Sequence, residues 1–297
     1  MYGPVIPHSS FLIPPLHQYL LEFHMKRTRI KPFIALLLCF CMVLPLFGCG
    51  KQVGNYKIVR TLGEESYCIG YRVGDQIALY VDAALRKLTA DGTVHNLAMQ
   101  WLGADNTAME ADENALESLG KIPRRTLIVG VSESCFPLSY YDGEAFAGFD
   151  IALAEAVCKE LGWRVKFQAV ARSDIYVQLT SGNVDCIWGG MPMDDVNLDE
   201  KGNEKPMSQQ LAVSEPYLEN EIVLVMRADS DASLRGATLM MDSGPQYIEA
   251  LDNNNLTSRF SEVQRVNGGA QQCFEALNSG QINAILTDSV ALAYYTK

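Results

Sequence analysis

Two stretches of this chain, nearly a hundred positions apart, share one layout: Leu179-Thr-Ser-Gly-Asn-Val-Asp-Cys-Ile187 and Leu277-Asn-Ser-Gly-Gln-Ile-Asn-Ala-Ile285. Each reads as a helix end, a glycine able to take positive φ, and a strand with apolar residues. A helix–strand unit used twice implies two similar α/β lobes. In open α/β sheets ligands gather beyond the carboxyl ends of the strands, which here are Gly189-Gly190-Met191 and Thr287-Asp288. Facing lobes would put both ends in one cleft.

The surrounding pattern agrees. Thr126 to Val131 is a short β-branched strand. Asp150 is positioned to cap a helix with apolar Ile151, Ala154, Val157, Cys158 and Leu161, stopped by Gly162. Trp163 to Ala169 alternates as a half-buried strand does. Ser173 is a second candidate cap, for a helix ending near Ser181-Gly182, and Asp185 to Trp188 begins another strand. Strand and helix in alternation argue for an α/β fold with a largely parallel sheet.

The first 48 residues are set aside as a leader. Lys26, Arg27, Arg29 and Lys31 precede an apolar run from Phe33 to Leu46, short for a membrane span. The run ends Leu46-Phe47-Gly48-Cys49, which resembles a bacterial lipobox with Cys49 as the lipidated residue; an uncleaved anchor is the alternative. Residues 1–24 look like an over-extended start. Without the leader's four cations and Glu22, the net charge moves from −11 to about −14, a balance that repels nucleic acid. Beyond Cys49, five cysteines remain: Cys68, Cys135, Cys158, Cys186 and Cys273. They are odd in number and widely spaced, and read as buried small hydrophobes rather than as a disulfide or metal framework.

Leu127-Ile-Val-Gly-Val-Ser, Gly148-Phe-Asp-Ile-Ala-Leu-Ala-Glu-Ala, Leu179 through Gly190, Ser214-Glu-Pro-Tyr217 and Ala284-Ile-Leu-Thr-Asp288 together resemble the polar-amino-acid solute-binding proteins of ABC importers. The resemblance covers most of residues 124–297. It implies a two-lobe type II periplasmic-binding-protein-like fold, a small polar, amino-acid-like ligand, a membrane permease as partner, no cofactor and a monomeric chain lipid-anchored on the extracytoplasmic face.

Family members continue beyond a helix like Ser289 to Tyr295, whereas this sequence stops at Lys297. The continuation is found at the front. Asn55 to Leu62 reads as a strand, Ser66 to Val73 as a crossover, and Gln76 to Leu88 as an amphipathic helix with Ile77, Tyr80, Val81, Ala84, Leu85 and Leu88 on one face. Leu88-Thr-Ala-Asp-Gly-Thr to Trp101-Leu-Gly103 resembles the end of such proteins. The expected arrangement is therefore a circular permutant, with a leftover gene fragment as the alternative. Residues 49–54 form a tether, 69–103 and 124–217 lobe 1, and 55–66 and 221–297 lobe 2. Residues 104–123 join the old ends through a helix capped by Thr107 and Glu110.

The expected ligand set is Ser134, Phe136, Arg172, Gly190, Met191, Ser243, Gly244, Gln246 and Asp288. Asp288 stands where the family places a carboxylate for the ligand's α-amino group, and also where it could cap the helix after it. Ser243 to Gln246 resembles a turn into a helix whose N–H groups suit an anion, or an ordinary helix start; Pro245 removes one donor. The family's carboxylate-gripping arginine is missing: the aligned positions are Pro192 and about Asn197, in a polar insertion reaching Met207. Arg172 stands where an aromatic is usual, and either takes over the carboxylate or is a solvated charge. Phe136 is an apolar wall or core. Catalysis finds little support, since His95 is the lone histidine after the leader and Glu133 near Asp288 is the only acid/base candidate. A sensor using the same cleft, or a dehydratase or lyase on the same fold, are the competing classes. Hinge closure is expected near Gly63 to Cys68 and Tyr217 to Asn220.

Overall fold

After a short strand β1 (Lys51–Val53), the chain enters β2 (Tyr56–Tyr71), sixteen residues long and roughly 50 Å end to end. The computed structural model describes residues 50–192, 196–198, 203–267 and 269–297; the predicted leader and Cys49 lie outside them. The sequence suggests two elements here because Gly63-Glu-Glu-Ser66 interrupts the apolar alternation. The structure makes them one, since β2 is paired almost throughout with β6 (Leu218–Arg227), from Tyr67 opposite Leu218 to Tyr56 opposite Arg227. The polar residues fall where the strand passes from one hydrophobic core to the next.

Helices α1 (Ile77–Ala90) and α2 (Thr93–Trp101) follow, then β3 (Thr126–Val131), α3 (Phe149–Glu160), β4 (Arg164–Ala169), α4 (Ile175–Thr180) and β5 (Cys186–Pro192). Beyond β6 come β7 (Thr238–Asp242), α5 (Pro245–Asn253), β8 (Glu262–Val266), α6 (Gly269–Asn278), β9 (Ala284–Asp288) and α7 (Ser289–Tyr294). One ten-stranded sheet has the order β8-β7-β9-β6-β2-β5-β3-β4, with β1 and Ala212–Val213 added at β2. Its two wings pair in parallel, β3 with β4 and β5, β7 with β8 and β9. Every pair that joins the wings through β2 and β6 is antiparallel. The expected parallel sheet is thus realised in each wing, around a long antiparallel ribbon.

Each wing carries its own core. In the first, Ile77, Val81, Ala84, Leu85 and Leu88 of α1 and Val94 and Ala98 of α2 are buried with Leu127, Val129, Phe149, Leu153 and Val157. Burial of such side chains is worth about 2 kcal/mol each, so residues 77–102 are integral to the wing built by 126–192. In the second wing β6 serves two cores: Ile222, Leu224 and Met226 face one, Val223 and Val225 the other. A strand covered on both sides must read as a continuous apolar run, and Ile222-Val-Leu-Val-Met226 does.

The segment 104–123 corrects an expectation. Thr107 does not cap a helix, because its N–H and hydroxyl both donate to Asp105 Oδ1. Thr107 instead bridges Leu218, Ala108 N–H donates to the Tyr217 carbonyl, and only a 3-10 turn forms at Glu117–Leu119. Ser173 is not a cap either: it lies in a 3-10 turn (Arg172–Asp174) and donates its hydroxyl to Asp174. Cys68, Cys158, Cys186 and Cys273 are buried, as expected, Cys135 is half-buried, and none of the five forms a disulfide with another described residue. Among the described residues no helix is long and apolar enough to cross a membrane.

Candidate functional site

Asp288 ends β9, and its side chain makes no capping hydrogen bond to the first turn of α7. Oδ1 accepts from Asn220 Nδ2 at 3.0 Å and Oδ2 from the Tyr247 hydroxyl at 2.9 Å. The α7 start is held by another group: Asn220 Oδ1 accepts from the Ser289 hydroxyl at 3.1 Å and from Val290 N–H at 3.4 Å. Of the two roles open to Asp288, capping therefore belongs to Asn220.

Asn220 is 3% exposed and pairs with Glu65 across the β2–β6 ribbon. Its Nδ2 donates to Glu65 Oε2 at 2.9 Å as well as to Asp288, and accordingly bridges two carboxylates. Tyr67 adds a longer bond to Glu65 Oε2, 3.4 Å. Burial first, and Asp288 second, push Glu65 up to about 7. Burial also raises Asp288, against the hydrogen bonds from Asn220 and Tyr247. The hydroxyls of Tyr67 and Tyr247 are pushed well above their ordinary range by the same burial and by Asp288, which keeps them protonated donors.

From the other wing, Arg172 reaches across to α5, where Nη1 donates to Gln246 Oε1 at 3.4 Å. Burial lowers the Arg172 pKa while Cys135, Glu65, Tyr247 and Tyr67 raise it, so its surroundings include the Glu65 carboxyl. The structure thus brings together Arg172, Gln246 and Asp288 among the predicted residues. Around them it adds Glu65, Tyr67, Asn220 and Tyr247, which sequence reasoning missed.

Gly190 closes the floor. It sits at φ +60°, and a Cβ there would stand 2.5 Å from Cys135 Sγ. Only glycine meets both demands cheaply. Its N–H donates to Asp150 Oδ2 at 3.0 Å, while the buried Tyr217 hydroxyl donates to Asp150 Oδ1 at 3.0 Å. Asp150 is accordingly not the expected helix cap: Gly148 holds that position, and Asp150 is a fully buried tie between β5 and the crossover. Met191 pairs with Cys68 through the backbone.

The remaining predicted residues are distributed differently. The Ser243 hydroxyl is 2.5 Å from Asn267 Oδ1, and Gly244 N–H donates to Asp242 Oδ1 at 3.0 Å. With Pro245 at the first helical position, the α5 start therefore offers an anion fewer donors than expected. Ser134 is exposed, and its carbonyl would lie 2.7 Å from a Cβ on Gly269 of the opposite wing. Phe136 packs edge-on against Tyr294 at 4.7 Å and near Tyr295 at 5.9 Å, an aromatic contact between the wings. His95 lies beside Asp105, Nδ1 to Oδ2 at 2.6 Å. The part of the polar insertion that is described pairs Val196–Leu198 with Glu204–Pro206.

A pair of acids beside a guanidinium, enclosed between two wings, suits recognition of a molecule carrying both an ammonium and a carboxylate. Residues 127–290 match the family model described as bacterial extracellular solute-binding proteins, family 3. The arginine-binding extracellular protein ArtP of Bacillus subtilis (strain 168) is 24% identical over 188 residues, 58% of this chain and 65% of that protein. The ABC transporter arginine-binding protein 1 of Escherichia coli (strain K12) is 25% identical over 154 residues, 50% of this chain and 57% of its own. The match thus spans less than two thirds of either relative. The L-cystine-binding protein TcyA of Bacillus subtilis (strain 168) is 21% identical over 225 residues, 74% of this chain and 75% of that protein. Among solved structures, an ancestral arginine-binding protein bound to arginine is 28% identical with a TM-score of 0.43, over 57% of this chain and 73% of that one.

Proposed function

The chain belongs to the bacterial extracellular solute-binding proteins, family 3, with a type II periplasmic-binding-protein-like α/β fold, and we propose that it captures an amino acid between its two wings and delivers it to an ABC importer. The observation that carries this reading is the reach of Arg172 from one wing to Gln246 on the other, next to Tyr247, whose hydroxyl donates to Asp288. In this reading Asp288 takes the ligand's α-ammonium, and Arg172 takes the α-carboxylate with its planar fork. Gly190 and Met191 hold the end of β5 in place through Asp150 and Cys68, and Ser134, Phe136, Ser243 and Gly244 form the rim. The names of the relatives, binding proteins for arginine and cystine, favour an amino-acid ligand over other polar solutes.

Closure follows from the ribbon. Two lobes, 69–103 with 124–217 and 55–66 with 221–297, bend about Gly63 to Cys68 and Tyr217 to Asn220. Contacts made from both lobes at once stabilise the closed shape that the permease reads. The chain order is circularly permuted, with 104–123 as the join between the old ends. What supports this is the packing of α1 and α2 into the first wing's core, while the family match begins only at residue 127. The protein acts as a monomer outside the cytoplasm, tethered by a lipid on Cys49; of the expected tether 49–54, Lys51–Val53 is instead strand β1 of the sheet. Cys49→Ser is expected to release it from the membrane fraction into the medium or periplasm; a variant still in the membrane pellet would argue against lipidation.

The reading is tested by calorimetric titration of the chain from residue 50 onward with the twenty amino acids and small peptides. Saturable binding of at least one amino acid is expected, and failure of every one to bind would remove the proposal. Arg172→Ala is expected to abolish that binding while the melting temperature of the empty protein stays nearly unchanged. Unaltered affinity would return Arg172 to the solvated surface.

A further inference from the structure

The acids near Asp288 are not equivalent. Asp242 is held by two backbone N–H groups, Oδ1 accepting from Gly244 at 3.0 Å in the turn after it and Oδ2 from Gly269 at 3.2 Å at the start of α6. Asp288 uses both oxygens, one on Asn220 and one on Tyr247. Glu65 accepts hydrogen bonds from Asn220 and Tyr67 at Oε2, and among the described residues none reaches Oε1. Glu65 also stands on the ribbon that joins the two wings, opposite Asn220. Its oxygens and those of Asp288 flank a single amide nitrogen, roughly 6 Å or less apart, the range in which like charges disturb each other's ionisation.

A zwitterion whose carboxylate pairs with Arg172 and whose ammonium pairs with Asp288 brings no cation for the Glu65 carboxylate. We propose that Glu65 contacts the ligand and makes the cleft selective for amino acids of net positive charge, an inference that rests on the solute-binding role above. Glu65 is a specificity-determining residue in this arrangement, and the extra cation of the ligand completes the charge balance.

The groups facing Glu65 fix the sign of a pH effect. They are Asp288 from β9, Asn220 from β6, Tyr67 on its own strand, Arg172 from the turn ahead of α4, and Tyr247 from α5 beside Asp288. Burial and Asp288 hold Glu65 near 7 in the empty protein, while Asn220, Tyr67 and Arg172 act the other way. A cationic ligand requires the carboxylate form, so its binding expels a proton below pH 7. Its affinity should rise by about tenfold per pH unit below 7 and level off above. A neutral amino acid tolerates protonated Glu65; its affinity is flat below pH 7 and weakens above.

The test is calorimetric titration of the wild-type chain and Glu65→Gln with L-arginine and L-glutamine from pH 5.5 to 8.5, each in two buffers of different ionisation enthalpy. Wild type should prefer L-arginine by about 30-fold at pH 8, the worth of one charge-assisted contact, and should release close to one proton on binding it at pH 6. Glu65→Gln should lose the proton release and bring the two ligands to within about threefold. Equal preference and equal proton release in both proteins would overturn the proposal, as would a wild type that favours L-glutamine. Should Glu65→Gln fail to fold, the proton count of wild type decides alone: no release at pH 6 sinks the inference. Binding of neither ligand nor any other amino acid would instead remove the solute-binding reading itself.

Discussion

Asp150→Ala is expected to lower the unfolding free energy by about 3–5 kcal/mol, because it leaves two buried donors without an acceptor. Those donors are Gly190 N–H and the Tyr217 hydroxyl, each 3.0 Å from an Asp150 oxygen, on a residue with no exposed surface. For a body of about 250 residues that corresponds to a melting point lower by about 10 °C. The same carboxyl imposes a pH dependence. Burial pushes Asp150 up to about 7, against the two hydrogen bonds, from an ordinary value of 3.8. Between those values the folded chain holds a proton that the unfolded chain has lost, so the contribution is full below pH 4 and disappears as pH rises through 7. Glu65, up to about 7, and Asp82, up to about 6, act with the same sign. Asp150→Asn keeps an oxygen for Gly190 and can donate to the Tyr217 oxygen, but cannot ionise. The stability of wild type relative to Asp150→Asn should therefore fall by up to about 1.4 kcal/mol per pH unit across this window. Urea unfolding of both proteins at pH 4, 5, 6, 7 and 8 measures it. A difference that stays constant with pH would show that Asp150 is ionised in the folded chain throughout.

What local patterns carry is visible in α1, where Ile77, Val81, Leu85 and Leu88 recur at helical spacing and are all buried. It is visible again in the twin units, which become α4 with β5 and α6 with β9, one in each wing. Asp288 and Arg172 stand out in the sequence because each occupies a position with a chemical demand, a strand end and a charge where an aromatic is usual, and the fold brings both near Glu65. The rest was hidden for one physical reason. Glu65 and Asn220 are 155 residues apart, and each lies in a short polar run that resembles a hinge or turn when read locally. Only strand pairing across the ribbon buries them and turns an ordinary asparagine into the bridge between two acids. Asp150 misled for the same reason. Asp at the start of a helix is a cap by local statistics, but Gly190 of β5 and Tyr217, just ahead of β6, claim both its oxygens from far along the chain. The helix expected around Thr107 failed because Asp105, two residues earlier, competes for the same hydroxyl.

Asp288→Ala is expected to weaken the binding of an α-amino acid by about 100-fold, the loss of a short charge-assisted contact in a desolvated place. Helix α7 should survive, since Asn220 and Ser289 hold its first turn without help from Asp288. Circular dichroism of the variant checks that. The stronger readout is a comparison of two ligands, the bound amino acid and an analogue lacking only its α-amino group. Wild type should discriminate between them by about 100-fold, because the analogue leaves the buried Asp288 carboxyl facing an apolar group. Asp288→Ala should discriminate hardly at all, both ligands binding at the level of the analogue. The ratio is insensitive to a general loosening of the cleft, which would reach both ligands alike. A variant that weakened the two equally would make Asp288 a support for Asn220 and Tyr247 rather than the partner of the amino group.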